Sequence, residues 1–184
     1  MILRTLATAL ISALLLITPF DSPEKAASGG DLVPVEVAAV LVSEEGRSMI
    51  LLLKPDQSKL PEGAKEKKLV LPLVIGLEEG RSIGVAFHKI QVPRPLSHDL
   101  MRDIIREYGG SVASCTITKM ENEIFFAELR LRRGNKDFAL DSRPSDAIAL
   151  ALRSNAPIFV RRAVLLEQGV DPNSPSRIER APKT

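Results

Sequence analysis

The hydrophobic pattern of the chain switches between a period of two and a period near 3.6, and each switch marks an element. LVPVEVAAVLVS, from Leu32, places Val33, Val35 and Val37 on one face, as a half-buried strand does. RSMILLLK follows across the turn signal Glu45-Gly46, so the two runs read as a hairpin. KPDQSKLPEGAKEKK carries two Pro and a Gly among many charges and reads as an exposed loop. KLVLPLVIG is a buried strand in which Pro72, lacking an N–H for the ladder, demands an edge or a bulge. Leu77 to Lys89 is predicted helical, with Ile83, Phe87 and Ile90 spaced along one face, although Gly80 and Gly84 weaken it.

PRPL (93–96) is a rigid entry to a second helix, with Ser97 as N-cap, Asp99 in the first turn and Gly109-Gly110 at the end. Leu100, Met101, Ile104, Ile105 and Tyr108 form its apolar stripe, and Arg102, Asp103, Arg106 and Glu107 are expected to face outward. SVASCTITK and EIFFAELRLRR are two further strands. In the first, Cys115 is in phase with Ala113 and Ile117 and reads as a small buried hydrophobe. In the second, Phe125, Ala127, Leu129 and Leu131 point one way and Glu128, Arg130 and Arg132 the other. Gly134-Asn135 turns the chain into KDFALD. Pro144 suits the first position of a helix reaching about Ser154, apolar nearly all round and therefore central. APIFV returns as a short strand, and RRAVLLEQG is a short helix ending at Gly169. Interleaved elements without a βαβ rhythm predict one α+β domain, with a mixed, mostly antiparallel sheet and three to four helices. No Gly-rich phosphate loop follows a strand, so a nucleotide cofactor is not expected.

The termini read differently. MILRTLATALISALLLITPF has 14 apolar residues in 20, and the run from Leu6 to Ile17 is 12 residues long, which suits the core of a signal peptide. Residues 1–28 are therefore expected to be a signal peptide cleaved after Ser28, or else an uncleaved N-terminal anchor. Export to the periplasm or medium follows, with membrane contact only through an uncleaved leader. Residues 29–31 close a polar linker, 32–170 form the domain, and 171–184 are a Pro-rich flexible tail.

Composition narrows the chemistry. Lys+Arg 25 against Asp+Glu 23 leaves +2, which excludes a polycationic or acidic tail but not a local basic stripe. With no Trp, one Tyr and six Phe, the core must be aliphatic and few rings are left to stack bases. A single Cys excludes an internal disulfide and a zinc site built from several Cys.

The most distinctive segment is DSRPSDAIALALRSNAPIFV, Asp141 to Val160. With LPLVIGLEEGRSI (Leu71 to Ile83) and PRPLSHDL (Pro93 to Leu100), it resembles the bifunctional nuclease family, in the expected order and over roughly Val35 to Val170. The resemblance implies a compact α/β domain and a nuclease, since some plant members are assigned activity on both DNA and RNA. The chain departs from the family pattern at Glu79-Gly80, in Arg81, Ser82 and Gly84, in a longer loop from Pro55 to Lys68, and in its signal-like leader.

Phosphodiester hydrolysis needs an activated water, charge neutralisation at phosphorus and help for the leaving oxygen, which a divalent metal held by carboxylates supplies. Asp141 and Asp146 flank a strand-to-helix turn and are the leading carboxylates. Glu78 (or Glu79) and Asp99 lie near helix N-termini and complete a candidate set for Mg²⁺ or Mn²⁺: Asp141, Asp146, Asp99 and Glu78. Asp141, Asp146 and His98 are the candidate catalytic residues, His98 being the side chain that titrates nearest neutrality. Arg143 and Arg94 could grip phosphate bidentately, and Arg130 and Arg132 could track a phosphate backbone. The same residues have plain structural uses: Asp146 favouring its helix dipole, Asp141 capping that helix, Asp141 pairing with Arg143. The reading is a metal-assisted nuclease acting on DNA and RNA with low sequence preference. The alternative is a non-enzymatic binding or regulatory domain acting as a homo-oligomer.

Overall fold

The computed structural model describes residues 31–173. The leader assigned to residues 1–28, and the tail beyond residue 173, lie outside the described residues. Within them, seven strands form one sheet: β1 (Leu32–Val42), β2 (Met49–Pro55), β3 (Leu71–Ile75), β4 (Gly110–Glu121), β5 (Ile124–Arg133), β6 (Lys136–Ser142) and β7 (Ile158–Arg161). Their order is β3-β2-β1-β7-β4-β5-β6. Every neighbouring pair is antiparallel except β4 and β7. Four α-helices accompany the sheet among the described residues: α1 (Leu77–Phe87), α2 (Ser97–Glu107), α3 (Pro144–Ser154) and α4 (Arg162–Gln168). This is the expected α+β domain. Pro72 sits in β3, an edge strand, where a missing N–H costs no ladder bond.

Strand alternation builds the core as the pattern required. Val33, Val35 and Val37 of β1, Leu51 and Leu53 of β2, and Phe125, Ala127 and Leu129 of β5 are buried. Each Val, Leu or Phe taken from water contributes about 1.5–3 kcal/mol. Cys115 is fully buried, and burial pushes its thiol up to about 12, so it is no nucleophile. A register shift between Val112 and Ser114 puts Val112, rather than Ala113, in the core with Cys115 and Ile117.

Helix α3 is the centre of the helical layer. It packs on β4 and β5 and touches both α1 and α2. Ala147, Ile148, Ala149, Leu150 and Ala151 are all buried, which explains the run that is apolar on every side. Pro144 opens the helix and Asn155, left-handed at φ 51°, ends it. Gly80 serves packing in α1: a Cβ there would overlap the Met49 sulfur and lie 2.7 Å from its Cβ. The glycine thus lets α1 rest directly on β2.

Three local expectations are corrected. The segment after β2 is not a plain exposed loop. It folds into two 3₁₀ turns, Gln57–Lys59 and Lys65–Lys68, and buries Glu66 against Arg162 of α4. The N-cap of α2 is Leu96 rather than Ser97, and the Asp99 carboxylate accepts the Leu96 N–H at 2.9 Å. The larger change is the orientation of α2. Leu100, Met101, Ile104 and Tyr108 are 44–72% exposed, whereas His98 is buried and Asp99, Arg102, Asp103 and Ile105 are half-buried. The helix docks by a largely polar face, because that face finds hydrogen-bond partners on α1 and α3.

Candidate active site

The turn from β6 into α3 is tight: Ser142 ends the strand, Arg143 is the N-cap and Pro144 is the first helical residue. Asp146 therefore falls in the first turn of α3, where the helix dipole favours a carboxylate. Helix α1 presents Glu78, Arg81 and Ser82 at spacings of three and four residues, hence along one face. Helix α2 presents His98. These groups meet at a hollow of about 440 Å³, lined by Glu78, Glu79, Arg81, Ser82, His98 and Asp146 with Arg143 beside them.

Its centre is a chain of hydrogen bonds. Ser82 Oγ lies 2.9 Å from His98 Nδ1, and His98 Nε2 lies 3.1 Å from Asp146 Oδ1. Arg143 forks onto Asp146, with Nε 2.7 Å from Oδ2 and Nη2 3.1 Å from Oδ1, and its Nη1 reaches Glu79 Oε1 at 3.0 Å. The His98 hydrogen bond, aided by Arg143 and opposed by burial, holds the Asp146 carboxyl at about 2, below the ordinary carboxylate range. Asp146 is then ionised at neutral pH and can only accept, so Nε2 of His98 carries the hydrogen. In the neutral ring Nδ1 is left as acceptor, and Ser82 donates to it.

Arg153 braces this arrangement from below. Its side chain is 3% exposed. Nε donates to Asp99 Oδ1 at 2.8 Å, Nη2 to the Ser82 carbonyl at 3.1 Å, and Nη1 to the Ala149 carbonyl at 3.1 Å. Burial raises the proton affinity of Asp99, but the Leu96 N–H and Arg153 outweigh it and keep the carboxyl below its ordinary range.

Of the residues singled out in the sequence, His98, Asp146, Arg143 and Glu78 come together at the hollow. Asp99 neighbours His98 but turns to Arg153. Asp141 stays in β6, exposed and opposite Glu128 of β5, on the charged face of the sheet; it neither caps α3 nor pairs with Arg143. Arg94 is exposed in the loop before α2 and does not line the hollow. Arg130 pairs with Glu128, and Arg132 with Asp137, on that same charged face. The carboxylates expected to hold a metal are thus spread over separate places, and no group of three potential ligands is gathered among the described residues. Both oxygens of Asp146, and one of Glu79, already accept from cationic or imidazole donors. This donor set does not fit a divalent-metal cage.

Sequence reasoning missed Ser82, Arg81 and Arg153. The spacing Glu78–Arg81–Ser82 marks one helical face, and Arg153 is the lone cation closing an apolar helix. Neither signal says what lies opposite.

The profile of the bifunctional nuclease domain matches residues 62–173. An uncharacterized protein of Mycobacterium tuberculosis is 39% identical over 100 residues, covering 54% of this chain and 59% of its own length. Bifunctional nuclease 1 of Oryza sativa subsp. japonica is 29% identical over 114 residues, 60% of this chain and 34% of the rice protein. Bifunctional nuclease 2 of Arabidopsis thaliana is 30% identical over 105 residues, 55% of this chain and 32% of the plant protein. The chain spans from 32% to 59% of the length of these relatives. Every motif that lines the hollow, from Glu78 to Asp146, falls inside the matched span, and the chain belongs to the bifunctional nuclease domain family.

Proposed function

We propose that the domain hydrolyses phosphodiester bonds of DNA and RNA, with low sequence preference, at the hollow between α1, α2 and the start of α3. The observation that carries this reading is the chain Ser82–His98–Asp146 in the wall of a hollow that also holds Arg81 and Arg143. Hydrolysis needs a proton acceptor and positive charge opposite the non-bridging oxygens. The His98 imidazole supplies the first, with its tautomer set by Asp146. Arg81, exposed and without a carboxylate partner among the described residues, supplies the second. Arg143 is held by Asp146 and Glu79, so a phosphate must compete with both for its fork. Three carboxylates line the hollow against two guanidinium groups, so capture rests on short-range contacts and its salt dependence is shallow.

The test is cleavage of DNA and RNA by the purified protein in Mg²⁺, in Mn²⁺ and in chelator. Both polymers are expected to be cut. His98→Gln and Asp146→Asn abolish cutting, Arg81→Gln raises KM, and the double change Arg130→Gln, Arg132→Gln leaves kcat alone. A folded protein that cuts nothing in any of the three conditions, or a His98→Gln variant that cuts normally, overturns the reading.

A second reading, a non-enzymatic domain acting as a homo-oligomer, is favoured by the exposed stripe Leu100, Met101, Ile104 and Tyr108 on α2. Contiguous apolar side chains of this kind are typical of protein contacts. Sedimentation as a monomer at every concentration tested removes it.

A further inference from the structure

We propose that Ser82 Oγ is a nucleophile toward electrophilic phosphorus, and that His98 is the base that activates it. This rests on the proposed function and names the attacking group of the same hollow. Both ring nitrogens of His98 are engaged, Nδ1 by Ser82 and Nε2 by Asp146, and the side chain is 10% exposed. Before Ser82 attacks, neither nitrogen is vacant. Of the two partners, Asp146 is an ionised carboxylate already forked by Arg143. Ser82, itself buried at 8% exposure, lines the hollow and keeps its oxygen lone pairs.

The hydrogens of the chain all point from Ser82 toward Asp146. Loss of the Ser82 proton to Nδ1 creates an imidazolium beside a carboxylate, which is the arrangement that activates a hydroxyl. A serine in mid-helix commonly returns its hydroxyl to the carbonyl four residues earlier. Ser82 instead gives it to an imidazole from another helix. Its own carbonyl is held by Arg153 at 3.1 Å, which fixes α1 at this residue. Arg81, the adjacent residue, and Arg143 line the same hollow, where they face the charge developing on the phosphoryl oxygens.

The step balances. The Oγ–P bond forms as the bond from phosphorus to the leaving oxygen breaks. The Ser82 proton passes to His98 Nδ1 and from there to the leaving oxygen. Water then attacks the phosphoserine, giving its proton to Nδ1. The P–Oγ bond breaks and Oγ takes that proton back.

Diisopropyl fluorophosphate tests the nucleophile without any nuclease assay, because fluoride leaves and the phosphoryl group stays on the attacking oxygen. The full-length protein is treated and its peptides are mapped by mass spectrometry, with Ser97, exposed on the same hollow, as internal control. One adduct is expected, on Ser82. Its rate of formation falls about a hundredfold in His98→Gln, the scale of a general base. Ser82→Ala carries no adduct and does not cut nucleic acid. An unlabelled wild-type protein, or one labelled equally at Ser97, overturns the proposal. So does a Ser82→Ala variant that cuts nucleic acid at the wild-type rate, which leaves the nuclease reading standing. Labelling at Ser82 in a protein that cuts nothing does the opposite: the nucleophile stands and the nuclease reading falls.

Discussion

Asp146 and Arg153 stand two turns apart on α3, and between them they hold both neighbouring helices. Asp146 takes His98 of α2, while Arg153 takes Asp99 of α2 and the carbonyl of Ser82 on α1. Two residues adjacent in sequence, His98 and Asp99, are therefore gripped by two side chains of one helix. The spacing of seven residues puts the two side chains about 10.5 Å apart along the α3 axis, yet both reach the first turn of α2. The candidate site and its bracing share one face of α3.

Removing the brace is expected to be costly. Arg153→Met takes one donor from the Asp99 carboxylate and one from the Ser82 carbonyl, in a site where the lost side chain was 3% exposed. A loss of about 3–5 kcal/mol is expected from urea titration, the scale for breaking one side of a buried ion pair. Arg153→Lys keeps the charge but not the three-way fork, and falls between the two.

Acid should loosen the same corner. The folded-state carboxyl of Asp146 lies at about 2, below its unfolded value of about 3.9. The stability it contributes is therefore fully present above about pH 4 and is lost as the pH falls toward 2. With Asp146 partly exposed, the loss is on the order of 1–2 kcal/mol. Denaturant titrations across this window check it: Asp146→Asn should be less stable at neutral pH and show a shallower acid limb.

The two glycines of α1 should respond oppositely. Gly80→Ala drives a methyl into Met49, whose Cβ is fixed by β2, and is expected to cost about 1–3 kcal/mol despite better helix propensity. At Gly84 a Cβ meets nothing within 4 Å, so Gly84→Ala is expected to gain about 0.5–1 kcal/mol. Thermal melts of the two variants distinguish packing from propensity directly.

Metal removal is expected to leave the fold untouched. Asp146 and Glu79 already accept from Arg143, and Asp99 from Arg153. The melting midpoint should be the same after chelation and after addition of Mg²⁺ or Mn²⁺. A rise of several degrees with either ion would expose a resident site, because a ligand bound only to the native state raises the midpoint.

What the amino-acid order determined by itself was the set of elements and most of the core. The period-two runs, the turn pairs at Glu45-Gly46 and Gly134-Asn135, Pro144 and the aliphatic run after it, and the edge position of Pro72 all follow from local sterics and side-chain period. His98, Asp146, Arg143 and Glu78 could be named as chemistry because their types and their places near helix starts are local facts. Which face of α2 turned inward was not local. The apolar stripe from Leu100 to Tyr108 pointed one way, but His98 and Asp99 had partners on α3 that lie 48 and 54 residues further along the chain. Paired buried polar groups outweighed the burial of four apolar side chains, and no periodicity encodes a partner. For the same reason Asp141 and Asp146, five residues apart, parted: the strand kept one on the charged face of the sheet, and the helix carried the other into the hollow. Only the packing of α1, α2 and α3 around one buried arginine decided that Ser82, His98 and Asp146 would meet.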